Sequence, residues 1–334
     1  MPIIVVFVHV DSPLPLYLLF NLYRAKRYLP DIRVTLLYNR RSLLTYFWRD
    51  KTFLTFDDEE NDANQNYGYP KNFRNNFWFN SVVRFSLISR FQKLNDIPIL
   101  HIESDVIIAR DFPIIEIAKT KTPFGFPVVS QERAIASTLF IRDAKASRRL
   151  WNFAIEAIQA NKLVSDMEIL YKLWHEYPDE VSLLPIAPHH LFKEGNNQMT
   201  TCISYGGFFD GNDFGVFLAG TNPWNRRGVS QLHTKIEKNL LQFGKENLIY
   251  DGSRKFLSIR SPSSDRQEKL FSLHITNKNP LFFAHFTSAK VLRIWNTCFK
   301  NWNKTFHPFV LISMAFKSLK RNSQETLKSY IHRS

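Results

Sequence analysis

Cysteine is scarce in this chain of 334 residues, which contains only Cys202 and Cys298. The two lie far apart in the sequence and form no Cys-x-x-Cys spacing. A disulfide framework needs several cysteines and a zinc knuckle needs closely spaced ones, so both kinds of structure are excluded. We therefore expect a protein of the reducing cytoplasm.

Long hydrophobic runs are also missing. No stretch reaches the roughly 20 apolar residues that span a bilayer, and the longest candidate, Phe306–Phe316, contains a His, a Pro and a Ser. The first residues are apolar, yet they show neither a basic leader nor a small-residue cleavage site, so we interpret them as a buried strand. The expected protein is soluble or peripheral to a membrane.

Acidic residues are too few to balance the basic ones, since 30 Asp and Glu face 44 Lys and Arg, for a net charge of +14. This excess predicts an anionic partner. The charge alone does not decide whether that partner is nucleic acid, an acidic membrane surface or a phosphorylated substrate. Much of it lies in residues 288–334, where nine basic residues accompany one acidic residue. A helix from about Pro308 would carry cations on one face and would either pack on its own domain or lie on an anionic membrane. We therefore divide the chain into residues 1–287 and this basic helical segment.

Hydrophobic residues make up 44% of the chain and aromatic residues 15%, which is enough to bury a substantial core. Strand and helix patterns alternate, beginning with a strand over 3–10, a helix over 13–28 and a strand over 33–38. The residues Asp11, Ser12 and Pro13 are typical of a helix start. Further predicted elements are a loop over 57–76, a helix over 77–94, strands over 97–102, 124–129 and 136–141, helices over 144–159 and 165–176, and a last strand over 271–275. This alternation predicts an α/β fold with a mostly parallel sheet flanked by helices.

The most informative motif is Glu103-Ser104-Asp105, directly after the predicted strand over 97–102. In α/β sheets, ligands bind at the carboxyl ends of the strands. Two carboxylates in that position suit a hard divalent cation that keeps waters and holds substrate phosphates. Taken alone, an acidic triplet is a weak signal, because many loops contain one by chance.

Further motifs accompany the triplet in order along the chain. They are Phe77-Trp78 and Arg84-Phe85, Leu100-His101-Ile102, Glu132-Arg133, Asp166-Met167-Glu168, Leu184-Pro185, Phe209-Asp210 with Gly215, Leu218-Ala219-Gly220-Thr221-Asn222-Pro223 with Asn225, and Leu273-His274-Ile275 with Lys278-Asn279. From about Pro2 to Asn279 the chain thereby resembles bacterial glycosyltransferases of the Rossmann-like GT-A fold with a DxD-type metal motif, of the kind that assembles capsule or lipopolysaccharide. It differs from them in carrying Glu103 at the first DxD position, and in reading His-Ile-Thr-Asn-Lys where similar sequences read His-Ile-His-Ser-Lys.

The resemblance implies a metal cofactor, Mn²⁺ or Mg²⁺. Asp105 would bind the metal directly, and Glu103 would contact it through water or contact the ribose of the donor. His274 would complete the metal shell, with His285 as the competing candidate, and Lys278 would neutralise the diphosphate of the donor. Such a site has a physical reason, because a cation stabilises the negative charge that builds on a departing diphosphate.

The resemblance also implies donor contacts away from the metal. His9 and Asp11 close the first strand, where a GT-A domain contacts the base and ribose of the nucleotide, although an ordinary polar strand end also explains them. Glu132 and Arg133 could hold hydroxyls of the donor sugar, or they could form an ion pair at the rim of the site.

Asp166 and Glu168 stand at the start of the predicted helix over 165–176, where Ser165 can cap and the helix dipole favours carboxylates. Helix-start chemistry explains both without a catalytic role. An inverting transfer, however, needs a carboxylate base beside the acceptor hydroxyl. We therefore select Asp166 as the base or acceptor-orienting residue, with Glu168 as the alternate. A retaining transfer would need no such base.

The leading hypothesis is a metal-dependent glycosyltransferase that moves a sugar from a nucleotide-diphosphate donor, first of all a UDP-sugar, to a glycan or lipid-linked glycan in surface polysaccharide biosynthesis. Asp210 and Asp213 would form a turn lining the acceptor side, and the basic segment would hold the enzyme at the inner face of an anionic membrane. A nucleic-acid-binding protein is the alternative from another class, but the sequence has no helix-turn-helix, RNP-like or zinc signature, so no nucleic acid is expected. A catalytically silent scaffold of the same fold is the third hypothesis.

Overall fold

The computed structural model describes residues 2–11, 14–40, 45, 48–68, 76–188, 191–192, 205–219, 248–251, 254, 256–260 and 267–276. All of them belong to one unit of the chain, Met1–Phe283. Lys278, His285, both cysteines and the basic segment over 288–334 lie outside the described residues. The roles assigned to these residues and the division of the chain after residue 287 therefore stay predictions.

The chain opens with a strand, a helix and a strand, which are β1 (Ile4–His9), α1 (Leu16–Tyr28) and β2 (Arg33–Tyr38). The elements that follow are β3 (Lys51–Phe53), α2 (Asp58–Asn66), α3 (Phe77–Asn95), β4 (Ile99–Ile102), β5 (Val106–Ile108), α4 (Ile114–Ala118), β6 (Phe124–Phe126), β7 (Val128–Ser130), β8 (Arg133–Ala134), β9 (Thr138–Ile141), α5 (Ala144–Ala160), α6 (Asp166–Glu176), a 3-10 helix (Pro178–Glu180), β10 (Val181–Leu183), β11 (Gly207–Phe209), α7 (Asp213–Ala219), β12 (Leu248–Asp251), β13 (Phe256–Arg260) and β14 (Gln267–His274). The helices predicted over 77–94, 144–159 and 165–176 are confirmed as α3, α5 and α6. The last predicted strand is confirmed as the end of β14, which starts earlier than expected.

Helix α1 starts later than predicted. Pro13 was the expected start, with Asp11 and Ser12 as cap residues, but α1 begins at Leu16 without a side-chain cap among the described residues. Asp11 is engaged elsewhere, because its Oδ1 accepts a hydrogen bond from Asn39 Nδ2 at 2.8 Å. The carboxylate that was expected to cap the helix therefore joins the ends of β1 and β2.

The loop predicted over 57–76 is wrong in its first half, where the structure has helix α2. A capping box starts this helix: Asp57 Oδ1 accepts a hydrogen bond from the amide of Glu60, and Glu60 Oε2 accepts one from the amide of Asp57. The polar composition concealed the helix, although the Asp-x-x-Glu spacing is a known start signal. Glu60 is fully buried, where it also accepts hydrogen bonds from Ser86 and Arg90.

The larger sheet has seven strands in the order β10-β6-β9-β4-β1-β2-β3. Strand β9 runs antiparallel to its neighbours β4 and β6, and all other neighbouring pairs are parallel. Helices α3 and α5 pack against each other, with Phe79, Phe85 and Trp151 fully buried. The α/β class with a mostly parallel sheet flanked by helices is thereby confirmed. No helix of the described part of the chain has both the length and the apolar character needed to cross a membrane.

The second sheet determines where the acidic triplet lies. Its strands have the order β11-β14-β13-β12, and β5 pairs antiparallel with β14 from Ile108↔Ser272 to Val106↔His274. Strand β4 belongs to the first sheet and β5 to the second, and only residues 103–105 separate them. The triplet is therefore the junction between the two sheets, and β14 brings His274 beside it.

Candidate metal centre

Two carboxylates and an imidazole meet at this junction. Glu103, Asp105 and His274 each offer one ligand atom, and the three atoms lie within 4.8 Å of one another. His274 Nε2 is 3.3 Å from Asp105 Oδ1 and 3.5 Å from Glu103 Oε2. All three side chains are largely buried. Carboxylate oxygens with one imidazole form a donor set that suits a divalent cation such as Mn²⁺ or Mg²⁺, so the residues fit the predicted metal.

Helix α1 holds the middle of the triplet turn and the end of the strand β5 that follows it. Asn21 Nδ2 donates a hydrogen bond to the carbonyl of Ser104 at 2.9 Å, and Arg24 Nε donates one to the carbonyl of Ile108 at 2.8 Å. Both donors lie on the same helix, one turn apart. The β-α-β opening of the chain therefore fixes the backbone that carries the two acidic ligands.

Neighbouring carboxylates shift the pKa of the His274 imidazole. Burial disfavours its charged form, but the carboxylates of Asp105, Glu103 and Asp210 outweigh burial and raise the pKa of His274 to about 9. The same carboxylates would attract a metal cation, which competes with the proton for the imidazole nitrogen.

Asp210 fixes the backbone position of His274. Its Oδ1 accepts hydrogen bonds from the amides of Asn212 and Phe214, and its Oδ2 accepts them from Gly215 and His274, at 2.8–3.1 Å. The side chain is completely buried, and this burial raises its pKa although the amide hydrogen bonds oppose the shift. We predicted that Asp210 belongs to a turn lining the acceptor side. For Asp210 this is wrong, because its carboxylate faces backbone amides inside the protein.

Gly215 allows the close approach on which this arrangement depends. A Cβ atom at this position would lie 1.7 Å from the carbonyl oxygen of His274, far below any contact that real Cβ atoms make. Helix α7 therefore packs directly on the backbone of β14. Asp210 and Gly215 together place the imidazole against the triplet.

Arg84 connects the metal cluster to Asp166. This residue of α3 is buried, its Nη1 is 2.5 Å from Glu103 Oε1, and its Nη2 donates a short hydrogen bond to Asp166 Oδ2. Burial disfavours the guanidinium charge, but the two carboxylates more than compensate and raise the pKa of Arg84. Conversely, burial raises the pKa of Asp166, and Arg84 only partly offsets this effect. For Glu103 the charges of Arg84 and His274 prevail over burial and lower its pKa.

No role was predicted for Arg84, although its motif formed part of the resemblance. A signal was present in the sequence, because an arginine stands in a helix whose neighbouring residues Val82, Val83 and Phe85 are all apolar. A charged side chain in a buried helix needs a partner of opposite charge. The sequence could not reveal that there are two such partners.

The two acids at the start of α6 differ in their surroundings. Asp166 is buried against Arg84, whereas Glu168 closes a capping box. Glu168 Oε2 accepts hydrogen bonds from the amide and hydroxyl of Ser165 at 2.7 and 2.8 Å. The cap predicted for Ser165 is therefore confirmed, and the carboxylate of Glu168 stabilises the start of α6. The catalytic roles of both acids stay predictions.

The predicted donor contacts lie in two places, after β1, which is the parallel neighbour of β4, and on the β7–β8 hairpin. Asp11 sits at the carboxyl end of β1 with a positive φ of 51°, and its amide donates to Asn39 Oδ1 at 2.7 Å. Positive φ is strained for a residue other than glycine and is found at functional sites. Glu132 and Arg133 are exposed on the β7–β8 hairpin. The donor contacts of these residues, and of His9 at the end of β1, stay predictions.

Comparison with known proteins gives a likeness of fold only. No protein-family model and no curated protein matches the sequence. The structure is similar to that of the galactosyltransferase LgtC in complex with donor and acceptor sugar analogs, at 16% identity and a TM-score of 0.46, over 72% of this chain and 98% of that chain. It is also similar to mouse xyloside xylosyltransferase 1, at 10% identity and a TM-score of 0.36, over 55% of this chain and 86% of that chain. A glycosyltransferase involved in glycosylating the major capsid of PBCV-1 matches at 10% identity and a TM-score of 0.34, over 55% of this chain and 82% of that one. At these values the likeness says nothing about which reaction this chain catalyses.

Proposed function

We propose that the chain is a metal-dependent glycosyltransferase that transfers a sugar from a nucleotide-diphosphate donor to a glycan or lipid-linked glycan acceptor. The observation that carries the proposal is the cluster of Glu103, Asp105 and His274 at the carboxyl end of β4. Ligands of open α/β sheets bind outside the carboxyl ends of the strands. A UDP-sugar is the first donor to test, and surface polysaccharide is the proposed product.

Glu103, Asp105 and His274 would hold Mn²⁺ or Mg²⁺ in this proposal. When bound, the cation would supply positive charge that stabilises the departing diphosphate. Lys278, which follows β14 in the sequence, would add a second positive charge. His9, Asp11 and Asn39, at the carboxyl ends of β1 and β2, would contact the nucleoside.

Asp166 would serve the acceptor. Its buried carboxylate has a raised pKa, which suits a group that takes a proton from an acceptor hydroxyl. In an inverting transfer Asp166 would be that base, and in a retaining transfer it would orient the acceptor. The anomeric configuration of the product, read by proton NMR, distinguishes the two roles.

The decisive experiment measures turnover of a panel of nucleotide sugars with Mn²⁺, with Mg²⁺ and with EDTA. We expect wild-type protein to hydrolyse or transfer at least one donor with a metal present and none with EDTA. Asp105→Asn should abolish turnover, whereas Asp62→Asn, which changes an exposed aspartate of α2, should not. Donor binding without turnover would indicate a catalytically silent scaffold. Absence of both binding and turnover for every donor would refute the proposal.

The basic segment over 288–334 is the proposed membrane contact, which would place the enzyme at the cytoplasmic face of an anionic membrane. Juxtamembrane basic residues contribute about 1 kcal/mol each to such attraction. Replacing Lys317, Lys320 and Arg321 by Glu should release the protein from vesicles that contain anionic lipid. Sedimentation with the vesicles measures this, and unchanged binding of the triple variant would rule the membrane role out.

A further inference from the structure

Arg84 gives the two oxygens of Glu103 different surroundings. Its Nη1 is 2.5 Å from Oε1, while the other oxygen, Oε2, lies 3.5 Å from His274 Nε2 on the side of the metal cluster. The second Nη of Arg84 is bound to Asp166. One planar guanidinium therefore holds one oxygen from each of two carboxylates, which a lysine ammonium cannot do in the same fixed geometry.

The arrangement matters because a glutamate can bind a cation in two ways. Ca²⁺ takes six to eight oxygen ligands, often with both oxygens of one carboxylate, whereas Mg²⁺ is smaller and demands near-octahedral geometry with single oxygens and waters. The terminal torsion of a glutamate side chain is soft, so a free carboxylate could turn to offer both of its oxygens. With Oε1 on Arg84, Oε2 is the oxygen of Glu103 that faces the cluster, and turning Oε1 toward a cation would break its contact with the guanidinium.

Arg84 also binds a third carboxylate, that of Asp166. Asp166 is buried beside the same guanidinium, with its Oδ2 directed to Nη2. The positive charge of Arg84 lowers the attraction of the whole cluster for any free cation. Its removal would therefore raise cation affinity in general, and would favour most the cation that gains most from additional oxygen ligands.

We propose that Arg84 is a positioning residue that makes the metal centre select a small divalent cation over Ca²⁺, by limiting Glu103 to one ligand oxygen and keeping Asp166 away from the metal. This inference rests on the proposed metal centre. It concerns metal choice and not the sugar transfer itself, so it can be tested without donor or acceptor.

The test uses Mn²⁺ alone as the probe. Electron paramagnetic resonance follows the loss of the free Mn²⁺ signal on binding, and Ca²⁺ is then titrated as competitor. The reading is the ratio of Ca²⁺ to Mn²⁺ dissociation constants. In Arg84→Met we expect this ratio to fall on the order of tenfold relative to wild type, because Ca²⁺ gains ligand oxygens. A merely structural loss would weaken both ions and leave the ratio unchanged.

Two further variants separate the effect on metal selectivity from a general loss of stability. Arg84→Met/Asp166→Asn removes the carboxylate that the single change would leave buried and unpaired, and it should show a smaller fall in the ratio, which comes through Glu103 alone. Arg90→Met is the matched control, since Arg90 lies on the same helix and bridges Asp57 and Glu60 away from the metal cluster. Its ratio should equal that of wild type. A ratio unchanged in both Arg84 variants would overturn this inference alone, whereas failure of wild type to bind Mn²⁺ would overturn the metal centre as well.

Discussion

The contact between Gly215 and the carbonyl of His274 leads to the sharpest prediction. In Gly215→Ala the new Cβ would start 1.7 Å from that oxygen, 2.6 Å from the carbonyl carbon and 3.0 Å from Asp210 Oδ2. Two of the three neighbours are backbone atoms, which cannot turn away as a flexible side chain would. The first contact must open to at least 3.0 Å, so α7 and β14 have to separate by more than an ångström.

This separation has two effects of different kinds. Forcing an extra carbon into a packed interior costs typically about 1–3 kcal/mol of folding free energy. The same movement pulls the His274 amide away from Asp210 and shifts the imidazole relative to the triplet. Functional groups must be held to within about 0.5 Å of their productive positions, so we expect Mn²⁺ affinity to fall by at least about tenfold.

Gly206→Ala separates these effects. Gly206 has a positive φ of 75°, but a Cβ there would meet nothing within 4 Å. Backbone strain of this kind costs on the order of 1 kcal/mol, so this variant should lose stability without losing metal affinity. Urea unfolding measures the stabilities, and the electron paramagnetic resonance titration measures the affinities. If Gly215→Ala folds and binds Mn²⁺ as tightly as wild type, then Gly215 does not position His274.

Two further predictions concern metal and pH. Mn²⁺ at a hundred times its dissociation constant should raise the free energy of unfolding by about 2.7 kcal/mol. Thermal scans would show this as a higher Tm, and EDTA should reverse it. The rise should be absent in Asp105→Ala, and an equal shift in that variant would contradict binding at the cluster. Asp111 bonds the guanidinium of Arg254, and although burial alone would raise its pKa, these hydrogen bonds and charges hold the pKa of Asp111 below its usual range. Its contribution to stability is therefore complete above the unfolded-state pKa of about 4 and is lost as the pH falls through the lower folded-state pKa. Asp111→Asn should cost about 1 kcal/mol at neutral pH and almost nothing in strong acid, and a constant difference in urea unfolding across that range would contradict this account.

Local patterns predicted the long helices α1, α3, α5 and α6 and the central strands of the larger sheet, but not most strands of the second sheet. The apolar run over 3–10 and the helical spacing over 77–94 needed no distant information, because each pattern reflects burial on a known period. Helix α2 was missed because polar composition outweighed the capping box of Asp57 and Glu60. Helix α1 started late because Asp11 found a partner 28 residues away in Asn39. Competition from distant partners is invisible to any local rule.

In the candidate site, too, the sequence predicted the residues of the motifs but not the contacts between distant elements. The triplet and His274 were identified through a resemblance of motifs, and the structure places them within 4.8 Å of one another. Neither the clamp that Asp210 forms on His274 nor the bridge that Arg84 forms between two acids was predicted. Both depend on which elements pack together in three dimensions. An aspartate in a glycine-containing loop has the same sequence signature whether it faces a substrate or a buried row of amides.

The position of the triplet between two sheets also has a consequence for the order of folding. Strands β1, β2 and β4 all lie within the first 102 residues and pair with one another, whereas β5 pairs with β14, more than 150 residues later in the chain. Strand β5 has to wait for β14, and pairings between distant segments form slowly. Glu103 and Asp105 thus adjoin a strand that pairs over a shorter sequence separation than the strand that brings His274. A cation that needs all three ligands would bind only to the finished fold, so it would stabilise the last step of folding and not the first.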